Sequence, residues 1–318
     1  MTDDVARWFA RRTYNSADFS PADLVARKAG TTVSVVVPTL DEASTVGDVV
    51  SCIADALVRD MALVDEVVVI DGGSTDGTQR VAAAAGARVV DVAEVLPAYG
   101  AITGKGDALW KSLAATSGDI VCWVDADITN IHPRFVYGLL GPLLVDPDVH
   151  YVKGFYERPL AGAGGLAPTG GGRVTELVAR PLLNLHWPAL AGIVQPLSGE
   201  YAGRRAVLEQ VPFASGYGVE LGLLIDLLEL VGLDGLAQVD LERRVHRNRP
   251  DAALARMAME IQQTALARLE RTGRAVLADA PGTSLLQFNR VPDGTVASRT
   301  RVATVDRPPM RTVREHIA

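Results

Sequence analysis

Short apolar runs, each closed by a polar or glycine-rich turn and followed by helically spaced residues, set the pattern of the first half of the chain. Val33-Ser-Val-Val-Val37 stops at Pro38 and reads as a strand buried on both faces of a parallel sheet. Ser44 is placed to cap a helix reaching about Val58. Glu66-Val-Val-Val-Ile70 is a second strand, followed by Asp71-Gly-Gly-Ser-Thr-Asp-Gly-Thr78 and an alanine-rich helix. Arg88-Val-Val90 is a third, short strand. Gly104-Lys-Gly106 opens a helix of about twelve residues, and Ile120-Val-Cys-Trp-Val124 is a fourth strand. This alternation predicts an α/β fold: a Rossmann-like, mostly parallel, doubly wound sheet with helices on both faces. Ligands of such sheets bind at the carboxyl ends of the strands, where the turns at Pro38, Asp71 and Asp125 fall.

The pattern changes near residue 150. Residues 1–31, around Trp8, Phe9 and Tyr14, read as a short helical arm docked on the rest, and residues 32–150 as the first half. Residues 151–275 form a second half. It holds a strand at Tyr151-Val-Lys-Gly-Phe-Tyr156, a glycine-rich loop over 161–172 and a helix from about Val174. A further helix from Val219 to Leu230, a strand from Leu236 to Leu241 and a long helix over 250–272 complete it. Scattered Pro, Gly and Arg make 276–318 an irregular tail.

Charge then excludes some partners. A net charge of -7 argues against nucleic acid, which needs a basic surface, but a few local arginines can still hold a small anion. Cys52 and Cys122 lie in apolar segments and read as buried free thiols of a reducing cytoplasm. The Met-Thr-Asp-Asp start carries no signal-peptide pattern. The stretch from Val178 to Leu197 is poor in charge, but Arg180, His186 and its prolines make it a buried helix or a subunit interface rather than a membrane span.

Asp125-Ala126-Asp127 is the strongest chemical signal. Two carboxylates just past a buried strand can share a hard divalent cation, and Mg²⁺ commonly bridges such groups to substrate phosphates. His246, in Arg243-Arg-Val-His-Arg-Asn-Arg249, can complete a metal site; in an extended segment Arg244, His246 and Asn248 share one side. Gly170-Gly-Gly-Arg-Val-Thr175 precedes a helix and makes a cradle for phosphate or carboxylate, with Arg173 as a bidentate donor. Lys105 stands at a helix mouth, where it can contact a diphosphate, although the P-loop spacing is missing. Glu42 and Asp71 can accept hydrogen bonds from a base or ribose. Glu220 opens an apolar helix and either complements its dipole or binds a sugar hydroxyl. The chain has no Gly-x-Ser-x-Gly, Cys-x-x-Cys or His-Glu-x-x-His, and no Gly-x-Gly-x-x-Gly after the first strand.

Pro38-Thr-Leu-Asp-Glu42, Asp71-Gly-Gly-Ser-Thr-Asp76 and Asp125-Ala-Asp127 together resemble the GT-A glycosyltransferases. Gly104-Lys-Gly-Asp-Ala-Leu-Trp110, Gly170-Gly-Gly-Arg-Val-Thr175, Gln195-Pro-Leu-Ser-Gly-Glu-Tyr201 and Val245-His-Arg-Asn-Arg-Pro250 narrow this to the glucosyl-3-phosphoglycerate synthase family, which also contains mannosyl-3-phosphoglycerate synthases. The resemblance implies retaining transfer of glucose from UDP-glucose to the 2-hydroxyl of 3-phospho-D-glycerate, a step that opens methylglucose lipopolysaccharide synthesis in mycobacteria. It implies uridine contacts at Pro38, Thr39, Leu40 and Glu42, a diphosphate contact at Lys105 and metal ligands at Asp127 and His246. The metal would be Mg²⁺, with Mn²⁺ or Co²⁺ as substitutes. Asp71, Asp125, Ala126 and Arg244 complete the donor site. Gly172, Arg173, Thr175 and Asn248 would hold the acceptor, and Glu220 the glucose. Thr39, Asp41 and Ala126 depart from the residues usual there. The family also implies a homodimer, for which Pro181 to Leu197 offers a face. The alternatives are a synthase using GDP-mannose, a lipid-phosphate glycosyltransferase and a non-catalytic nucleotide-sugar sensor.

Overall fold

A computed structural model describes residues 2–158, 160–162, 165–167, 172–245 and 251–317. The predicted strands form β2 (Val33–Thr39), β3 (Glu66–Asp71), β4 (Arg88–Asp91) and β5 (Ile120–Trp123), after an edge strand β1 (Thr13–Asn15). The second half adds β6 (Tyr151–Glu157), β7 (Tyr201–Arg204) and β8 (Leu236–Arg243). Among the described residues these make one sheet in the order β1-β8-β6-β7-β5-β2-β3-β4. All neighbours are parallel except β7, which is antiparallel to both β5 and β6.

Alternation along each strand sends side chains to two cores. Val36, Ile70, Val121 and Trp123 pack on one face, under α5 (Lys105–Ala115) and α8 (Val219–Val231). Val35, Val37, Val69 and Cys122 pack on the other, under α3 (Val46–Ile53) and α6 (Arg134–Val145). Each fully buried Val or Leu contributes about 1.5–3 kcal/mol. The apolar runs are therefore the main source of stability as well as the strand signal.

Several expectations need correction. The cap position of α3 is Thr45 rather than Ser44, with no side-chain cap bond; Val46 N donates instead to the Glu42 carbonyl at 3.0 Å. Cys52 is only partly buried, while Cys122 is fully buried, and both are free thiols. Helix α6 has no polar stripe to reveal it, starts behind Pro133 and contains Pro142. It is apolar nearly all round because it is buried nearly all round. A Cβ on its Gly141 would meet the ring of Phe19 at 2.5 Å, so only glycine allows that approach.

The N-terminal arm does dock: in α1 (Asp3–Arg12) the buried Trp8 donates from Nε1 to the Leu236 carbonyl at 2.8 Å. Its chain then continues as β1 beside β8. Helices α2 (Pro21–Lys28) and α4 (Thr78–Ala84) precede β2 and β4. After β7 come α8, already given, and α9 (Asp251–Arg271); α7 (Arg180–His186) precedes them.

The stretch 276–318 is not irregular. Ser284–Val291 and Gly294–Arg301 form a hairpin, Asp306–Arg307 pairs with Phe213–Ala214, and α10 (Met310–Ile317) closes the chain. The hairpin is exposed on both faces, so it lacks the apolar alternation of a packed strand. Val291-Pro-Asp-Gly294, with φ of 138° at Gly294, is the turn that could have revealed it. Ion pairs to Arg268 and Asp107, both buried, fasten the segment. Arg268 reaches Asp226 at 2.8 Å and Asp306 at 2.6 Å, and Arg307 reaches Asp107 at 2.6 Å. Arg307 also donates to the carbonyls of Tyr99 and Gly100, which steadies the loop leading into Lys105.

Candidate active site

Strands β3 and β4 extend from one side of β2 and β5 lies on the other, so the connections diverge between β2 and β5. A cleft opens at such a point. It is a cavity of about 640 Å³. The end of β2 contributes Pro38, Thr39, Leu40 and Glu42, and the end of β3 contributes Gly72 and Gly73. Lys105 of α5, Asp125-Ala126-Asp127 after β5, and Gly172, Arg173 and Thr175 complete its polar walls, with Glu220 of α8 and Arg244 beyond β8. Leu254, Met257 and Ile261 of α9 give an apolar side. The sites read from the two halves of the sequence thus share one cavity. His246 and Asn248 lie outside the described residues.

Asp71 is the exception. It is fully buried and does not line the cavity. Its carboxylate accepts from Ser74 Oγ at 2.5 Å, Gln79 Nε2 and Thr39 Oγ1 at 2.8 Å each, and the backbone N–H groups of Gly73 and Ser74. Those bonds shape the Gly72-Gly73 turn and leave no free face for a ligand. Burial works to raise its pKa, but the hydrogen bonds from Ser74, Gln79 and Thr39 outweigh it and hold the carboxyl below the usual range. The folded pKa is the lower one, so the stability it contributes is present above the unfolded value of about 3.9 and lost as pH falls through the folded value. Asp71→Asn is expected to cost about 1–3 kcal/mol at neutral pH. Urea unfolding should show that cost shrinking below about pH 4; a constant cost across pH would contradict it.

The ionic core is a chain of opposite charges. Lys105 Nζ lies 2.6 Å from Asp125 Oδ1 and 3.0 Å from Glu220 Oε1. Arg244 reaches Asp125 at 3.0 Å and Asp127 at 2.5 Å, and its Nε faces Glu200 Oε1 at 3.4 Å. Tyr156 donates to Glu200 Oε2 at 2.6 Å and accepts from Arg244 at 3.0 Å. Burial opposes the charge on both cations, and their carboxylates more than offset it. Burial also raises the Glu200 carboxyl, and Arg244 pulls it back only in part.

Glu200 was missed as a site residue because the short strand β7 was missed. Being antiparallel, β7 begins at the end where β5 and β6 finish, so the residues before Tyr201 enter the site. A Cβ on Gly199 would collide with the Asp125 carboxylate, which accounts for glycine there. Gly-Glu-Tyr ahead of a strand was the available signal.

Four carboxylates (Asp125, Asp127, Glu200 and Glu220) meet two directly paired cations here. That surplus of hard oxygen donors fits a divalent cation. Among the described residues no three Asp, Glu, His or Cys side chains form a ready cage. The chain enters His246 from Val245, which is tied to Thr129 and Asn130, just after Asp127: Val245 N donates to Asn130 Oδ1 at 2.7 Å and its carbonyl accepts from Thr129 N at 3.1 Å.

A doubly wound sheet, a cleft at its switch point and a carboxylate pair past the central strand define a GT-A glycosyltransferase. The pattern of Glycosyl transferase family 2 matches residues 34–163. The glucosyl-3-phosphoglycerate synthase of Mycolicibacterium smegmatis is 50% identical over 308 residues, spanning 97% of this chain and 98% of that one. The crystal structure of mannosyl-3-phosphoglycerate synthase from Rubrobacter xylanophilus matches with a TM-score of 0.89 and 41% identity, over 97% of this chain and 98% of its own. That of glucosyl-3-phosphoglycerate synthase from Mycobacterium tuberculosis, in complex with Mn²⁺, UDP-glucose and phosphoglyceric acid, matches with a TM-score of 0.82 and 46% identity, over 93% and 95%. The chain belongs to the glucosyl-3-phosphoglycerate synthase family.

Proposed function

We propose that the protein transfers glucose, with retention, from UDP-glucose to the 2-hydroxyl of 3-phospho-D-glycerate. The observation that carries this is the single cavity joining a nucleotide-side wall (Pro38, Thr39, Leu40, Glu42) to an anion cradle (Gly172, Arg173, Thr175) across Asp125–Asp127. Uridine rests against the β2 end, where Glu42 accepts from it. Lys105 leaves its ion pairs to hold the diphosphate, and Glu220 accepts from glucose hydroxyls. Arg173 and Thr175, with Asn248, clamp the acceptor's phosphate and carboxylate; Gly172, with φ of 82°, turns the backbone to make room for them.

Asp127 and His246 would hold a divalent cation, Mg²⁺ or a substitute such as Mn²⁺ or Co²⁺, with Asp125 as a helper. When bound, it supplies neutralisation of the charge that develops on the leaving diphosphate. The acceptor hydroxyl attacks from the face that UDP leaves, and a donor phosphate oxygen takes its proton. Positioning and charge stabilisation carry the rate. GDP-mannose fits less well, because the closer sequence relative and the UDP-glucose complex both belong to glucosyl enzymes.

No helix among the described residues is long and apolar enough to cross a membrane, which disfavours the lipid-phosphate alternative. We place the protein in the cytoplasm, where free Cys52 and Cys122 are at home. Its product there would start methylglucose lipopolysaccharide synthesis. A homodimer would cover Leu177 and Leu185, which are 76% and 74% exposed on one helical segment.

Arg173→Met tests the acceptor assignment. KM for 3-phosphoglycerate is expected to rise roughly 10–100-fold, the worth of a charged hydrogen bond of about 1.5–3 kcal/mol, with KM for UDP-glucose little changed. An unchanged KM for 3-phosphoglycerate would remove Arg173 from the cradle.

A further inference from the structure

One buried lysine does not line the cavity and plays no part in the chemistry above. Lys153 stands in β6 opposite Tyr201 of β7 and is 1% exposed. Its Nζ has no hydrogen-bond partner and rests 4.0 Å from the centroid of the Tyr201 ring. The hydroxyls of Tyr151 and Tyr201 beside it are also buried and unpartnered. The charges that act on it are those of Glu220 from α8, Lys105 from α5, Glu200 from the approach to β7 and Asp125 from the turn after β5. Burial pulls its pKa down to about 7; Glu220 opposes that fall and Lys105 adds to it.

Glu220 is 4% exposed, and its direct ion pair is with Lys105, which it shares with Asp125. If Lys105 turns to a diphosphate, Glu220 is left as a buried charge without its partner, a costly state. A proton can relieve it in two places. On Glu220 it would remove an acceptor that the sugar hydroxyls need. On Lys153 it would create a second cation and leave Glu220 ionised.

We propose that Lys153 takes up a solvent proton when the donor's diphosphate draws Lys105 away from Glu220, so that donor binding is coupled to proton uptake and Glu220 keeps its charge for the hexose. Lys153 is then a positioning residue that acts through Glu220 and touches no substrate. The idea rests on the reading of Lys105 as the diphosphate contact.

The test is calorimetric titration of the full chain with UDP-glucose in saturating Mg²⁺ at pH 8, in two buffers of different ionisation enthalpy. UDP-glucose has no phosphate that titrates there, and pH 8 is above the ordinary histidine range. The wild type is expected to take up about half a proton or more per site, as a group with pKa near 7 is driven to its charged form. Lys153→Met and Glu220→Gln should each abolish the uptake. No uptake in the wild type would overturn the inference, as would equal uptake in Lys153→Met, which would put the proton on Glu220. Should Lys153→Met fail to fold, Lys153→Gln carries the same test: loss of uptake is expected, and uptake equal to the wild type would put the proton on Glu220. Lys105→Met separates the two layers. Undiminished affinity for UDP-glucose would sink the Lys105 reading itself. Weakened affinity, with no uptake in the wild type, would sink the Lys153 inference alone.

Discussion

Asp127→Ala is expected to lower the transfer rate by about 10²–10³-fold or more while the protein stays folded. The rate loss follows from removing charge stabilisation at the leaving group, about 2.7–4 kcal/mol in comparable cases. The intact fold follows from the geometry. The Asp127 side chain keeps 18% exposure, and its partner Arg244 retains Asp125 and Glu200, so no buried charge is orphaned. Steady-state kcat measured beside a thermal midpoint checks both halves. Near-normal kcat would take Asp127 out of the chemistry, and a collapsed midpoint would make its role structural.

Arg244→Met is expected to do the opposite kind of damage. The guanidinium is 4% exposed and joins Asp125, Asp127, Glu200 and Tyr156. Without it, Glu200, which is fully buried, loses its counter-charge and three carboxylates repel one another. Breaking such a buried cluster costs about 3–5 kcal/mol, with loss of activity as the site opens. Adding Glu200→Gln removes the stranded charge, and coupling of about 0.5–3 kcal/mol should return part of the stability. Denaturant unfolding of the two single variants and the double variant measures this. Strict additivity would mean that Arg244 and Glu200 do not form the unit described.

What could be read from the chain, and what could not, follows from where each feature gets its energy. Strands β2, β3 and β5 are buried on both faces, so Val33–Val37, Glu66–Ile70 and Ile120–Val124 announce themselves without any partner. The turns after them and the mouth of α5 are legible too, because their place in the architecture brings Glu42, Lys105 and Asp125–Asp127 to one end of the sheet. Strand β7 is different. Tyr201-Ala-Gly-Arg204 has little pattern of its own and is a strand only because β5 and β6 leave a slot between them. With it went the role of Glu200, whose carboxylate organises Tyr156 and Arg244. Asp71 shows the converse limit. A carboxylate beside two glycines after a strand reads as a ligand group, yet its oxygens are taken up by Thr39, Ser74 and Gln79. Only the packed structure separates a residue that binds from one that shapes the loop that binds. Helix α6 and the C-terminal hairpin were obscured for opposite reasons, one buried nearly all round and the other exposed on both faces.

The central claim is the reaction itself, and one assay tests it most directly. Purified protein with Mg²⁺ and 3-phosphoglycerate is given UDP-glucose or GDP-mannose, and the glycosylated product is followed by NMR. UDP-glucose should yield α-linked glucosyl-3-phosphoglycerate and UDP, with at most a minor rate from GDP-mannose. Turnover confined to GDP-mannose, or none with 3-phosphoglycerate as acceptor, would contradict the account.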